Sequence, residues 1–187
     1  MPNTSRSRRI RLLFLSAGVA AAIWALAPRG AATGGSVRPA ADRKAIASFT
    51  LPAVGGGRWS LAEHRGQVIL LNFWATWCPP CREETPGLVE IQNRYSGRGF
   101  SVVGVSMDDN PQSAVPAFAK RYGITYPILA PTSDFGLAGS VDSIPTSFLI
   151  DREGRVARTY YGAVGTDTLS ADIEQLLSDA GPLSMNR

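Results

Sequence analysis

The chain has 187 residues, of which 44% are hydrophobic and 18% are charged, a composition typical of one globular domain with a short appendage. Its formal charge of +4 is unevenly distributed. Residues 1–43 hold seven Arg and one Asp, whereas residues 44–187 hold twelve Lys or Arg and fourteen Asp or Glu. The basic excess therefore lies in the N-terminal segment, and the slightly acidic remainder argues against a nucleic-acid-binding function.

The N-terminal segment predicts export. Four arginines within the first eleven residues precede an apolar run over residues 12–27, so residues 1–27 have the pattern of a secretory signal or an uncleaved membrane anchor. The run is short for a membrane-spanning helix, which needs about 20 residues. However, Pro28 directly follows the best cleavage sequence and should hinder processing there. The anchor is therefore favoured, and cleavage remains the alternative.

The rest of the chain divides into a linker and a domain. Residues 28–43 are rich in Gly, Ala and Pro and predict a flexible linker, and residues 44–182 predict the domain. Because positively charged flanks stay in the cytoplasm, the domain is expected on the other side of the membrane. It would be tethered through residues 12–27, or secreted to the periplasm if the leader is cleaved.

In chain order, the domain pattern predicts strands that alternate with helices. Residues 49–52 and 58–59 are extended pieces joined by a glycine turn, and the spacing of Ser60 and Glu63 predicts a helical turn. Residues 68–74 form an apolar run that is typical of a strand covered on both faces. The later elements are a helix from 78 or 79 to about 95 with a kink at Pro86, a strand at 100–106, a helix at 111–122, a strand at 126–129, an irregular or helical stretch at 133–141, a hairpin of 146–150 and 156–161, and a helix at about 168–180.

The only two cysteines lie in the sequence Trp77-Cys78-Pro79-Pro80-Cys81. A disulfide across two residues closes a very small loop and gives little structural stabilisation, which makes the pair a candidate for redox chemistry. Cys78 lies where a helix begins, and a helix N-terminus favours the thiolate. We expect Cys78 to be the exposed, attacking sulfur and Cys81 the more buried, resolving sulfur in thiol–disulfide exchange.

The segment from Asn72 to Cys81 resembles the active-site segment of thioredoxin-fold proteins, and more narrowly that of the exported, membrane-tethered TlpA/ResA/CcmG group. Matches extend over roughly residues 46–178 and include the segments 49–52 and 143–151. The resemblance implies an α/β thioredoxin fold, with a mixed central sheet flanked by helices and an N-terminal β-hairpin extension.

The resemblance also assigns roles to single residues. Pro145 matches the cis-proline that faces the dithiol, and the client backbone would pair beside Ile144. Glu84 matches an acid that would tune the cysteines and accept the proton of Cys81. Trp77 is expected to be an exposed contact surface, and with Pro79 and Ile144 it is assigned to substrate binding. Asn72 stands where thioredoxin itself usually carries a buried aspartate, so that proton acceptor is absent.

The same residues also have plainer interpretations. Glu84 could be an ordinary solvated helix glutamate, and the disulfide could be purely structural. A metal site needs more ligands than two sulfurs, and His64 is expected at the surface. Copper carriers of the Sco type have three residues between their cysteines, and the Pro and Thr/Ser pattern of peroxiredoxins is absent before Cys78. No metal is expected, and no cofactor other than the redox-active disulfide of Cys78 and Cys81.

The resemblance implies a reductant of protein disulfides on the periplasmic side of a bacterial inner membrane, fed electrons by a transmembrane thiol carrier. The domain is expected to be a monomer. Apocytochrome c is the leading client, and copper-site proteins of respiratory oxidases come second. A non-catalytic copper-binding metallochaperone is the alternative from another functional class. An oxidase that introduces disulfides also remains open, because the direction of electron flow depends on the redox potential.

Overall fold

A computed structural model describes residues 36–179 of the chain. The predicted leader or anchor at residues 1–27 lies outside these residues, as do residues 28–35 of the predicted linker and the last residues of the predicted domain. Within residues 36–179, no helix is both long enough and apolar enough to cross a membrane.

Eight strands and three α-helices make up the described part of the chain, together with four short 3-10 turns. In chain order the elements are β1 (Lys44–Ala45), β2 (Thr50–Pro52), β3 (Arg58–Ser60), β4 (Val68–Trp74), α1 (Pro79–Tyr95), β5 (Phe100–Ser106), α2 (Pro111–Tyr122), β6 (Ile128–Leu129), β7 (Thr146–Ile150), β8 (Arg155–Tyr161) and α3 (Thr166–Ser178). The 3-10 turns are Ala40–Asp42, Leu61–His64, Ser96–Arg98 and Ala138–Ser140.

Six strands form one mixed sheet in the order β1-β8-β7-β4-β5-β6. Strands β4, β5 and β6 are parallel, whereas β7 is antiparallel to β4 and β8 is antiparallel to both β7 and β1. Strands β2 and β3 form a separate antiparallel hairpin. The mixed sheet, the flanking helices and the N-terminal β-hairpin are therefore as the sequence predicts.

Strand β4 lies in the middle of the sheet, and all seven of its residues are buried. Its side chains alternate between two core clusters, which explains its nearly continuous apolar sequence. Val68 and Leu70 pack with residues of the three α-helices. Ile69 and Leu71 pack with residues of the β2–β3 hairpin on the opposite face of the sheet. The carboxyl end of β4, from which the cysteine loop departs, is thus held rigidly on both faces.

The compact part of the chain begins earlier than the sequence predicts. Residues 36–43, assigned to the flexible linker, pack against the domain in the structure. Val37 is buried, and the Arg38 N–H donates to the carbonyl of Ala157 at 2.9 Å. The Arg43 guanidinium is almost fully buried and pairs with Asp151 at 3.3 Å and Asp179 at 2.7 Å. These partners lie more than 100 residues away, so local composition does not reveal them.

Other differences concern element boundaries. Strand β1 has no alternating pattern in the sequence and was not predicted, β6 is two residues long instead of four, and α3 begins two residues early. The turn after Ser60 is present, but the Ser60 side chain makes no capping hydrogen bond. Helix α1 continues past Pro86, and the kink expected there stays a prediction.

Candidate active site

The two cysteines lie at the junction of β4 and α1 and form a disulfide, with their Cα atoms 5.3 Å apart. Cys78 is the N-cap of α1, and Pro79 and Pro80 follow in the first turn. Proline is suited to this position, because the first N–H groups of a helix have no partner within the helix. The sequence thus places Cys78 at the start of a 17-residue helix and Cys81 one turn further along.

The helix N-terminus is directed at the Cys78 sulfur. The N–H of Cys81 donates to Cys78 Sγ at 3.3 Å, and no acidic residue lies in the first turn of α1. When the disulfide is reduced, this donor and the positive end of the helix dipole stabilise a thiolate at Cys78. Cys81 accepts no such hydrogen bond within the described residues, which makes the two sulfurs chemically unequal.

The predicted exposure of Cys78 is wrong for the disulfide form. Cys78 is 3% exposed and Cys81 is 1% exposed, so the two cysteines hardly differ in burial. The reason is the loop before β7, because the Ile144 carbonyl oxygen lies 3.8 Å from Cys78 Sγ and covers that side. The chemical asymmetry of the pair therefore comes from the helix N-terminus. Trp77, by contrast, is 64% exposed as predicted.

The Ile144–Pro145 peptide bond is cis, as the resemblance implied. Pro145 is buried, and its carbonyl accepts a hydrogen bond from the Gly162 N–H at 2.8 Å. The structure therefore brings Cys78, Ile144 and Pro145 together, although 66 residues separate Cys78 from Ile144. Pro79 is exposed as the first residue of α1, two positions after Trp77.

Glu84 is buried, with 7% of its surface exposed, so the alternative of a solvated helix glutamate is wrong. Its carboxylate accepts hydrogen bonds from the Val164 N–H at 3.0 Å and from Asn72 Nδ2 at 3.3 Å. Burial raises the pKa of Glu84 from 4.5 to about 7, although both hydrogen bonds act in the opposite direction. Burial, with a smaller effect of the Glu84 charge, also raises the pKa of the Tyr126 hydroxyl.

Asn72 has a role that the sequence reasoning missed. Its Nδ2 donates to Ser147 Oγ at 2.9 Å as well as to Glu84, so it links β7 to α1 through the sheet. The available signal was a single amide within the apolar run of β4, since a buried polar side chain needs hydrogen-bond partners. Ser147 and Val164 carried no comparable signal, because they are distant in sequence from the cysteines.

This arrangement supplies the parts that thiol–disulfide exchange needs. The N-terminus of α1 donates a hydrogen bond to Cys78 Sγ, the Cys81 sulfur is bonded to that atom, and a carboxyl whose pKa burial raises to about 7 lies one helical turn after Cys81. Within residues 36–179, no group of three or more His, Cys, Asp or Glu side chains is arranged to hold a metal ion.

Comparisons with known proteins agree with this chemistry. Residues 40–177 match the family model described as Redoxin. The chain is 32% identical over 172 residues to the thiol-disulfide oxidoreductase ResA of Geobacillus thermodenitrificans, covering 90% of this chain and 94% of that protein. It is 33% identical over 131 residues to ResA of Bacillus subtilis, covering 70% and 72% of the two chains.

A solved structure shows the same fold. The thiol:disulfide interchange protein, a thioredoxin family protein from Chlorobium tepidum, superposes with a TM-score of 0.67 and 33% sequence identity. The match covers 74% of this chain and 99% of that one. The chain therefore belongs to the redoxin family, within its group of ResA-type, thioredoxin-fold thiol–disulfide oxidoreductases.

Proposed function

We propose that this oxidoreductase reduces disulfides of client proteins outside the cytoplasm, with the cysteines of apocytochrome c as its leading client. The observation that carries the proposal is the buried Glu84 carboxyl, whose pKa of about 7 suits a group that exchanges a proton with the dithiol at neutral pH. The domain acts as a monomer, and residues 12–27 hold it at the membrane.

The reaction starts from the reduced protein. The Cys78 thiolate attacks one sulfur of the client disulfide, and the other client sulfur leaves as a thiolate. Glu84 then accepts the proton of Cys81, and the resulting Cys81 thiolate attacks Cys78 Sγ in the mixed disulfide. The second client sulfur is released, and two electrons have passed from Cys78 and Cys81 to the client. The disulfide of the described structure is the product state.

The client contacts follow from what is exposed around the dithiol. Trp77 in the turn before α1 and Pro79 at the start of α1 present apolar surface, and an extended client segment would pair with the backbone at Ile144. A transmembrane thiol carrier then supplies two electrons and returns the disulfide to the dithiol. The Ile144 carbonyl lies within 4 Å of Cys78 Sγ, which supports a client disulfide being brought close to the sulfur that attacks it.

Trapping with Cys81→Ser tests the proposal, because this variant of the full chain stalls at the mixed disulfide on Cys78. Mass spectrometry of the captured proteins should identify apocytochrome c, and Cys78→Ser is the control that should capture nothing. Capture of copper-site proteins would show that apocytochrome c is not the main client. Capture of unrelated proteins would contradict a dedicated pathway. A redox potential near about −120 mV, typical of strong thiol oxidants, would contradict the reductant direction.

A further inference from the structure

A second buried carboxylate lies beside the cysteine loop, and the exchange chemistry described above does not use it. Asp108 follows β5 and is 9% exposed. Strands β4 and β5 are parallel, with Trp74 paired to Ser106, so the residues that follow the two strands meet at the same edge of the sheet. Asp108 therefore lies against the segment that joins Trp74 to Cys78.

Both oxygens of the Asp108 carboxylate accept hydrogen bonds. Oδ1 accepts from the Thr76 hydroxyl at 2.5 Å, and Oδ2 accepts from the Thr76 N–H at 3.1 Å and from the Ser106 hydroxyl at 2.7 Å. Hydrogen bonds to an ionised acceptor are stronger than those between neutral groups. We call Asp108, Thr76 and Ser106 together the Asp108 clamp. In the loop, the Asp108 carboxylate binds the N–H and the hydroxyl of Thr76, which lies two positions before Cys78.

The Asp108 clamp holds a tight turn. The Cys78 N–H donates to the Ala75 carbonyl at 3.2 Å, which closes a turn with Thr76 and Trp77 as its central residues. Trp77 is exposed in this turn, whereas Ala75 and Cys78 on either side are buried. The position of Thr76 therefore determines where Trp77 projects and where Cys78 begins α1.

We propose that Asp108 is a positioning residue for thiol–disulfide exchange. Through Thr76 it fixes the turn that presents Trp77 to the client and seats Cys78 at the N-terminus of α1. Asp108 acts through the turn, and its hydrogen-bond partners are Thr76 and Ser106. The assignment of Trp77 to client contact rests on the proposed function, whereas the seating of Cys78 can be measured without a client.

Thr76→Val tests the clamp at constant charge, because it removes one donor and leaves the Asp108 carboxylate bound to the Thr76 N–H and to Ser106. Thr76→Ser restores the donor, and Thr159→Val on β8 is the matched control. Two readouts are compared in the full chain. The first is the pH profile of iodoacetamide alkylation at Cys78 in the reduced protein. The second is kcat and KM for a peptide disulfide with the Cys-x-x-Cys-His haem-attachment sequence.

We expect Thr76→Val to move the alkylation profile of Cys78 to higher pH and to lower kcat/KM by about fivefold, because small displacements of a reacting group lower rates strongly. Thr76→Ser and Thr159→Val should match the wild type in both readouts. Asp108→Asn, which turns one acceptor into a donor, should lower kcat/KM at least as much as Thr76→Val.

The proposal is overturned if Thr76→Val has the same alkylation profile and the same kcat/KM as the wild type. This holds even if the melting temperature of the variant falls. If the wild-type protein does not reduce the peptide, the proposed client class is wrong. The alkylation profile then still decides whether the Asp108 clamp positions Cys78, because that reaction requires no client.

Discussion

Replacing Glu84 with Gln tests whether the buried carboxyl one helical turn after Cys81 titrates near neutral pH. The carboxylate accepts one hydrogen bond at each oxygen, from Asn72 Nδ2 and from the Val164 N–H. An amide can keep both contacts if the Asn72 side chain turns over. The Oδ1 of Asn72 then accepts hydrogen bonds from the amide of the glutamine introduced at position 84 and from the Ser147 hydroxyl, because a hydroxyl can act as donor or acceptor. Glu84→Gln is therefore expected to fold.

The size of the effect follows from the pKa of Glu84, which burial raises from 4.5 to about 7. A group with a higher pKa in the folded state stabilises the fold fully only below its unfolded pKa. That contribution is lost as the pH rises through the folded value. At about 1.4 kcal/mol per pKa unit, the wild-type free energy of unfolding should fall by about 3 kcal/mol over this pH range. Glu84→Gln lacks a titrating group at this position and should not show this loss.

Urea unfolding of the oxidised protein at several pH values measures this difference, because the disulfide prevents the cysteines from titrating. The free energy of unfolding of Glu84→Gln minus that of the wild type should rise with pH and level off above about pH 7, the folded pKa. Glu83→Gln on the exposed face of the same helix should give a flat difference. A flat difference for Glu84→Gln as well would refute the reasoning and remove the proton acceptor from the mechanism.

Two further substitutions test contacts at the site. Val164→Pro removes the N–H that lowers the pKa of Glu84, so a carboxyl NMR titration should give a still higher pKa. Ala163→Pro is the matched control, and an unchanged value in Val164→Pro would contradict the contact. Gly104→Ala places a Cβ 2.8 Å from Trp74 Nε1, so urea unfolding should show a loss of about 1–3 kcal/mol. Wild-type stability for that variant would contradict the close packing.

The central elements could be predicted from the sequence because their signals are local. The apolar run of β4 has no alternation, since side chains on both of its faces are buried. Prolines in the first turn of α1 mark the start of that helix, and Gly154 at positive φ allows the turn between β7 and β8. Strand β1, two exposed residues paired with β8, has no such signal.

The resemblance placed Pro145 opposite the dithiol, but the burial of the site residues could not be predicted, because it depends on contacts between distant residues. Glu84 has the sequence context of a solvated helix residue, and its burial depends on the loop at Val164, 80 residues later. The burial of Cys78 depends on Ile144, and that of Arg43 on carboxylates more than 100 residues away. Each of these contacts joins elements that only the complete sheet brings together.

The loop between β8 and α3 shows why a two-cysteine reaction requires most of the domain. Its Gly162 N–H donates to the Pro145 carbonyl at 2.8 Å, and its Val164 N–H donates to Glu84 at 3.0 Å. One short segment therefore holds both the cis-proline loop beside Cys78 and the carboxyl one helical turn after Cys81. Exchange between sulfurs needs only the Cys-x-x-Cys segment, but the positions of the client backbone and of the proton acceptor depend on this loop. The family match over residues 40–177, far beyond the cysteine segment, is consistent with that dependence.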